Sequence, residues 1–135
     1  MNISTVAKLT GLSIHTLRYY EKEGLLPHIA RDKSGHRFFS ERDLEWITWI
    51  KRLKMTGMSL EDIKRFSAFR QQGDTGIKPR RIMLEQHAEK LRQDVQLLLD
   101  ELAIVEYKIE AYAELEKKAR HRVNSRVYAP FNTVW

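Results

Sequence analysis

The sequence predicts a mainly α chain: a small helical domain bearing a two-stranded wing, followed by one long helix. Three observations predict it. Two short stretches with helix caps, 4–10 and 13–23, meet at Gly11-Leu12. A turn-rich segment, 27–39, cannot stay helical. From Leu84 to Tyr112, apolar residues recur at alternating spacings of four and three, as in a helix that buries one narrow stripe.

In the first helix Ser4 is the expected N-cap, with Val6 and Leu9 inward and Lys8 facing solvent or a phosphate. The second has an N-cap at Ser13 and a stop at Gly24, where glycine accepts the left-handed conformation. Ile14 and Leu17, with Leu25 beyond the stop, anchor it to a core. His15, Thr16, Arg18, Tyr19 and Lys22 offer donors and an aromatic suited to a polyanion. Two short helices with a glycine at the joint outline a helix-turn-helix, whose second helix enters the DNA major groove.

Within 27–39, Asp32-Lys33-Ser34-Gly35 is turn chemistry. Extended segments on either side make a wing on which Arg31, Lys33 and Arg37 would meet phosphates; the alternative is a solvated basic loop. Ser40 and Asp43 form a capping box for a third helix. There Leu44, Ile47, Ile50 and Leu53 recur at helical spacing with Trp46 and Trp49 close by, a pattern commoner in cores than in ligand boxes. Residues 55–58 break this helix, and Ser59 with Asp62 caps the next, whose inner stripe is Leu60, Ile63 and Phe66, with Phe69 near its end. Lys51, Arg52 and Lys54 flank the intervening turn, a second wing.

The polar, glycine-bearing segment 71–76 closes a domain over 1–72. A linker and the start of the long helix occupy 73–83, with Pro79 suited to a first helical turn. The repeat fills 84–118, with Ala88, Val95, Leu102 and Ile109 at a, and Leu84, Leu91, Leu98, Val105 and Tyr112 at d. A helix from Leu84 to Tyr112 would be roughly 44 Å long, too long for the first domain to cover. The stripe therefore buries against a second copy of the chain; lying on its own domain is the alternative. In the tail, 119–135, Pro130 and two asparagines argue against helix. It is either irregular or docks Tyr128, Phe131 and Trp135 on the dimer.

Lys and Arg outnumber Asp and Glu by 24 to 18, for a net charge of +6. Residues 1–72 hold 13 basic against 8 acidic side chains and 73–135 hold 11 against 10, so the positive field belongs to the helix-pair half. The chain has no cysteine, which excludes disulfides and thiolate metal sites and fits a cytoplasmic setting. No apolar run approaches the ~20 residues that cross a bilayer, and 1–4 lack a signal pattern. The five histidines show no metal-ligand spacing, no nucleophile stands in a recognisable setting and no glycine loop cradles phosphate. An enzyme is therefore not expected, nor any cofactor or metal.

Thr16-Leu17-Arg18-Tyr19-Tyr20-Glu21, Gly24-Leu25-Leu26-Pro27, Gly35-His36-Arg37-Phe38-Phe39 and Gly57-Met58-Ser59-Leu60-Glu61-Asp62-Ile63 stand in an order that resembles the MerR family of bacterial transcription regulators. The resemblance implies a winged helix-turn-helix domain followed by a long dimerisation helix that forms an antiparallel coiled coil. It implies a homodimer on a pseudo-palindrome of double-stranded promoter DNA with an over-long spacer. The dimer distorts this DNA so that RNA polymerase reads both promoter elements. It places Arg18 and Tyr19 at DNA with Tyr20 beside them, and Arg37 on the first wing with Lys54 near the second. His36 and Phe39 stand where the wing usually has tyrosines, and Phe39 lacks the hydroxyl that would bond a phosphate. Without cysteine, thiol sensing is excluded, and a small-molecule effector or stress signal remains, its binding residues unassigned. An architectural DNA-bending protein and a coiled-coil adaptor are the other readings; the first leaves the long helix unused and the second the basic helix pair.

Overall fold

In the computed structural model, which describes residues 1–125, the elements follow from local chemistry. They are α1 (Ile3–Thr10), α2 (Ile14–Lys22), β1 (Ala30–Arg31), β2 (Arg37–Phe38), α3 (Glu41–Met55), α4 (Leu60–Gln71), a 3₁₀ turn at Gly73–Gly76, and α5 (Ile77–Ser125). The two strands pair antiparallel, Ala30 with Phe38 and Arg31 with Arg37. The chain divides into two compact units, Met1–Leu91 and the part from Arg92 onward.

Serine caps start three helices. The side chains of Ser13, Ser40 and Ser59 accept from the backbone N–H of Thr16, Asp43 and Asp62, and Asp43 returns the bond to the Ser40 backbone. Each such cap satisfies an orphan donor and is worth about 1 kcal/mol. The first helix departs from expectation: Asn2, not Ser4, is its cap, accepting from Thr5 at 2.8 Å. The reason is remote in sequence. The Met1 amino group donates to the Phe39 carbonyl at 2.8 Å, and the Phe39 N–H donates to the Met1 carbonyl at 2.7 Å. That pairing holds the chain extended just ahead of Asn2, so the helix begins early. Leu9 also departs, being 61% exposed. The inner stripe is instead Ile3, Val6, Ala7 and Thr10. Thr10 can be buried because its hydroxyl donates to the Val6 carbonyl at 2.8 Å.

The second helix ends in a Schellman turn: Leu25 N–H bonds the Tyr20 carbonyl, Gly24 N–H bonds that of Glu21, and Gly24 holds φ at 83°. The turn returns Leu25 and Leu26 to the core. The third helix ends in the same pattern at Gly57 and Met58. A Cβ on Gly76 would come within 1.7 Å of the Phe69 carbonyl oxygen, so only glycine joins the 3₁₀ turn to α5.

The core is contributed by α1 to α4, the start of α5 and the segments that follow α2 and β2, while the two strands stay outside it. Val6, Leu17, Leu25, Phe39, Ile47, Ile50 and Ile63 are each buried to within 1% of complete. The Trp46 indole N–H donates to the Leu25 carbonyl at 2.7 Å, which lets so large a ring sit inside. Leu17 fastens α2 from beneath, a burial worth about 1.5–3 kcal/mol.

The fifth helix runs through Ser125, so 119–125 is helical where a non-helical tail was expected. Arg126, Tyr128, Phe131 and Trp135 of that tail lie outside the described residues. In the first unit, Leu84 packs partly buried against the core beside buried Met83, and Ala88 and Leu91 are half-buried. In the second unit Val95, Leu98, Leu102, Val105, Ile109 and Tyr112 are all exposed, and so are Leu97, Leu99, Ile104 and Tyr107 off the stripe. Among the described residues no helix is long and apolar enough to cross a membrane.

Candidate nucleic-acid interface

The second helix sorts its side chains by the 3.6-residue period. Leu17 and Tyr20 turn inward, while His15, Arg18, Tyr19 and Lys22 are exposed at helical spacings of three and four. Those four therefore share one face, with Tyr19 41% exposed. Half-buried Thr16 stands at the start of the helix, where the Ser13 hydroxyl donates to its Oγ1 at 2.9 Å. The Thr16 hydroxyl keeps its own hydrogen for an outside acceptor.

Tyr20 does not join that face. Its ring is only 7% exposed, and burial, with Tyr19 as the smaller cause, raises its phenol pKa above the ordinary value. Phe39 is likewise no surface contact: it is 1% exposed. With no hydroxyl to keep wet, its ring fills the core while its backbone pairs with Met1. Both residues shape the interface from below.

The wing is bound to α2 by a residue that the sequence reading did not single out. Glu21 accepts from Arg37 Nε on Oε2 at 2.8 Å and from an Arg31 terminal nitrogen on Oε1 at 3.2 Å. One carboxylate thus spans both strands. Arg31 donates its other terminal nitrogen to the Gly35 carbonyl at 3.3 Å, closing the loop on itself. At the tip, the Asp32 carboxylate accepts the backbone N–H of Ser34 and of His36, each at 2.9 Å. The signal for Glu21 was present: a single acid at the end of a basic face, followed by two arginines astride a turn. What sequence could not supply was their meeting in space.

A further ion pair secures the same, C-terminal end of the helix. Lys64 of α4 lies 2.7 Å from Glu23, the cap residue of α2. The Lys64 hydrogen bond and charge hold the Glu23 carboxyl below its ordinary pKa, and Glu23 in turn raises Lys64. Lys54 stands exposed in the last turn of α3. Lys51, one turn earlier, donates its ammonium to the Thr10 carbonyl and so ties α3 to the joint between α1 and α2.

The result is a basic, aromatic-bearing helix face with an arginine-carrying hairpin fixed beside it. Backbone phosphates are recognised by such cations, and base edges by side chains at the start of such a helix. Among the described residues no group of three or more His, Asp or Glu side chains is arranged to hold a metal.

Residues 1–69 match the MerR HTH family regulatory protein description, and 44–103 match the MerR DNA-binding one. An uncharacterized HTH-type transcriptional regulator of Haemophilus influenzae is 42% identical over 106 residues, 78% of each chain. The crystal structure of HiNmlR, a MerR family regulator lacking the sensor domain and bound to promoter DNA, is 38% identical with a TM-score of 0.78. That likeness covers 86% of this chain and 92% of HiNmlR. A MerR family transcriptional regulator from Bacillus thuringiensis is 35% identical, with a TM-score of 0.75 over 83% of this chain and 98% of its own.

Proposed function

The chain belongs to the MerR family of transcription regulators, whose members are regulators rather than enzymes, and on that premise we propose how this member works. A homodimer binds a pseudo-palindromic operator inside a bacterial promoter with an over-long spacer, in the cytoplasm at the nucleoid. It distorts the duplex to control RNA polymerase in response to a small-molecule or stress signal.

The observation that carries the reading is the shared face of His15, Arg18, Tyr19 and Lys22 beside a wing held by Glu21. His15 and Thr16 sit where a recognition helix reaches base edges, and Arg18, Tyr19 and Lys22 reach the edges and phosphates farther along. The Glu21 carboxylate occupies Arg37 Nε and leaves its terminal nitrogens to a phosphate, as bidentate phosphate recognition requires. Lys54 adds a phosphate contact from α3. Holding helix and wing at a set angle lets binding energy be spent on bending DNA, so that deformability of the spacer becomes part of recognition.

Dimerisation is supported by the exposed apolar run on α5. Side chains such as Leu98, 69% exposed, and Ile109, 62% exposed, are far commoner under a partner helix than in water. The same stripe at Ala88, Val95, Leu102 and Val105 supplies the a and d positions of an antiparallel pair. A twofold assembly then presents two recognition helices to two half-sites.

Selection of bound duplexes from a random library tests the reading. A two-fold repeat that falls in a promoter with an over-long spacer supports it. Sequence-indifferent retention would favour the architectural alternative, and no salt-sensitive binding would remove DNA from the account.

A further inference from the structure

On the side of α3 and α4 that carries Trp46 and Phe66, the first unit has a cavity of about 360 Å³. Its floor is aromatic: Trp46 stacks on Phe66 with ring centroids 6.0 Å apart, and Trp49 tilts against Phe66 at 6.4 Å. Three guanidiniums line it, those of Arg42, Arg70 and Arg80, against one carboxylate, Glu45. Arg70 lies over the Trp46 ring, 4.3 Å from its centroid. Arg80 is steadied by donating Nε to the Gly76 carbonyl at 3.0 Å.

These arginines are not there as structural ion pairs. Among the described residues none of the three makes a salt bridge, although Asp43 and Glu45 are near and the surface elsewhere pairs its charges freely. Burial, then the charges of Arg42 and Arg80, lower the Arg70 pKa, and the nearby Asp43 carboxylate offsets them only in part. A planar guanidinium matches a carboxylate through paired N–H donors, and an indole face accepts a ring in offset stacking. The volume falls at the small end of ligand pockets.

We propose that this cavity is a binding site for a small aromatic carboxylate, whose ring lies against the half-buried Trp49 indole at the edge of the Trp46–Phe66 stack and whose anion is held by Arg42 and Arg80. The proposal rests on the reading of the chain as a ligand-responsive regulator. Arg42 and Arg80 supply the anion contacts, and Arg70 supplies the field. Because Arg42 stands on α3, Arg70 on α4 and Arg80 on α5, an anion among them draws three helices together. That convergence gives the ligand a means of altering the first unit's helix packing.

Calorimetric titration of the full-length protein with 2-naphthoate tests the site, with neutral 2-naphthamide as the comparison. One naphthoate per chain is expected, with the amide at least about tenfold weaker, and Arg42→Gln weakening naphthoate about tenfold, equal to about 1.4 kcal/mol. Arg42 is exposed, so that variant keeps the fold; Arg80→Gln is the second probe, with the same expected loss. Absence of binding at millimolar naphthoate, equal affinity for acid and amide, or indifference to both substitutions would overturn the site. Operator affinity is measured in parallel by anisotropy. Intact DNA binding without naphthoate binding rejects the site and leaves the regulator reading standing. Naphthoate binding that leaves operator affinity unchanged supports the site and counts against ligand response through it.

Discussion

Glu21→Gln separates two roles for an acid beside DNA. If Glu21 only repels phosphate, its neutralisation tightens binding to every duplex. If it holds the wing, neutralisation loosens the wing and weakens operator binding selectively. The geometry sets the magnitude. The Arg37 bond at 2.8 Å joins side chains that are 23% and 22% exposed, whereas the Arg31 bond at 3.2 Å reaches a side chain 47% exposed. A hydrogen bond to a charged group contributes about 1.5–3 kcal/mol, the low end applying to side chains that are partly exposed, and the more exposed pair contributes no more than ~0.5 kcal/mol. Glutamine retains one neutral acceptor, so the expected loss of wing docking is about 1.5 kcal/mol, roughly tenfold in affinity per wing. The assay is fluorescence anisotropy with operator and scrambled duplexes over a salt series. Operator affinity should fall about tenfold per wing while scrambled-duplex affinity holds or rises. Tighter binding to both duplexes would refute the clamp.

Three further outcomes follow from the same structure. Leu98→Asp places a charge in the proposed dimer seam and should yield monomers or aggregates in sedimentation; a clean dimer would show that the seam is not the interface. Lys54→Ala should weaken all duplexes alike and reduce the salt slope by about one per protomer, about two for the dimer, so a sequence-selective loss would mean that Lys54 reads bases. The pH dependence of stability has two sides. Glu23 has a lowered pKa, so its contribution is present above the ordinary 4.5 and lost as pH falls through the lowered value; the melting difference between wild type and Glu23→Gln should vanish there. Lys64 and Tyr20 have raised values, so their contributions are intact below 10.5 and 10.0 and fade as pH rises beyond them, measurable as alkaline loss of thermal stability.

Much of this fold is legible because its signals are local. Ser13, Ser40 and Ser59 cap helices by reaching N–H groups three residues ahead, a relation that sequence spacing displays directly. The glycine stops at Gly24 and Gly57 work the same way, as does the tight turn before Gly35. What was misread depends on a distant contact in one case and on a side chain's own hydrogen bond in the other. Asn2 replaces Ser4 because Phe39 fixes Met1, and Leu9 yields its inward place to Thr10 because a hydroxyl can satisfy itself on its own helix. The site shows the same division. Helical period sorts Arg18, Tyr19 and Lys22 from Leu17, but aromatic character alone does not say whether Tyr20 and Phe39 face DNA or the core. Glu21 takes its meaning only when α2 and the hairpin meet. The arginines around Trp46 come from three helices, so no window of sequence contains them.

The central claim is that α2 reads DNA for a dimer, and Arg18→Ala tests it most directly. Arg18 is exposed on that face, outside the core, so its removal should leave folding and sedimentation unchanged. Anisotropy titrations of wild type and variant against the selected operator are the measurement. The account predicts that Arg18→Ala loses operator binding while remaining a dimer of unchanged melting temperature. Wild-type affinity in the variant would contradict it and assign recognition to another helix.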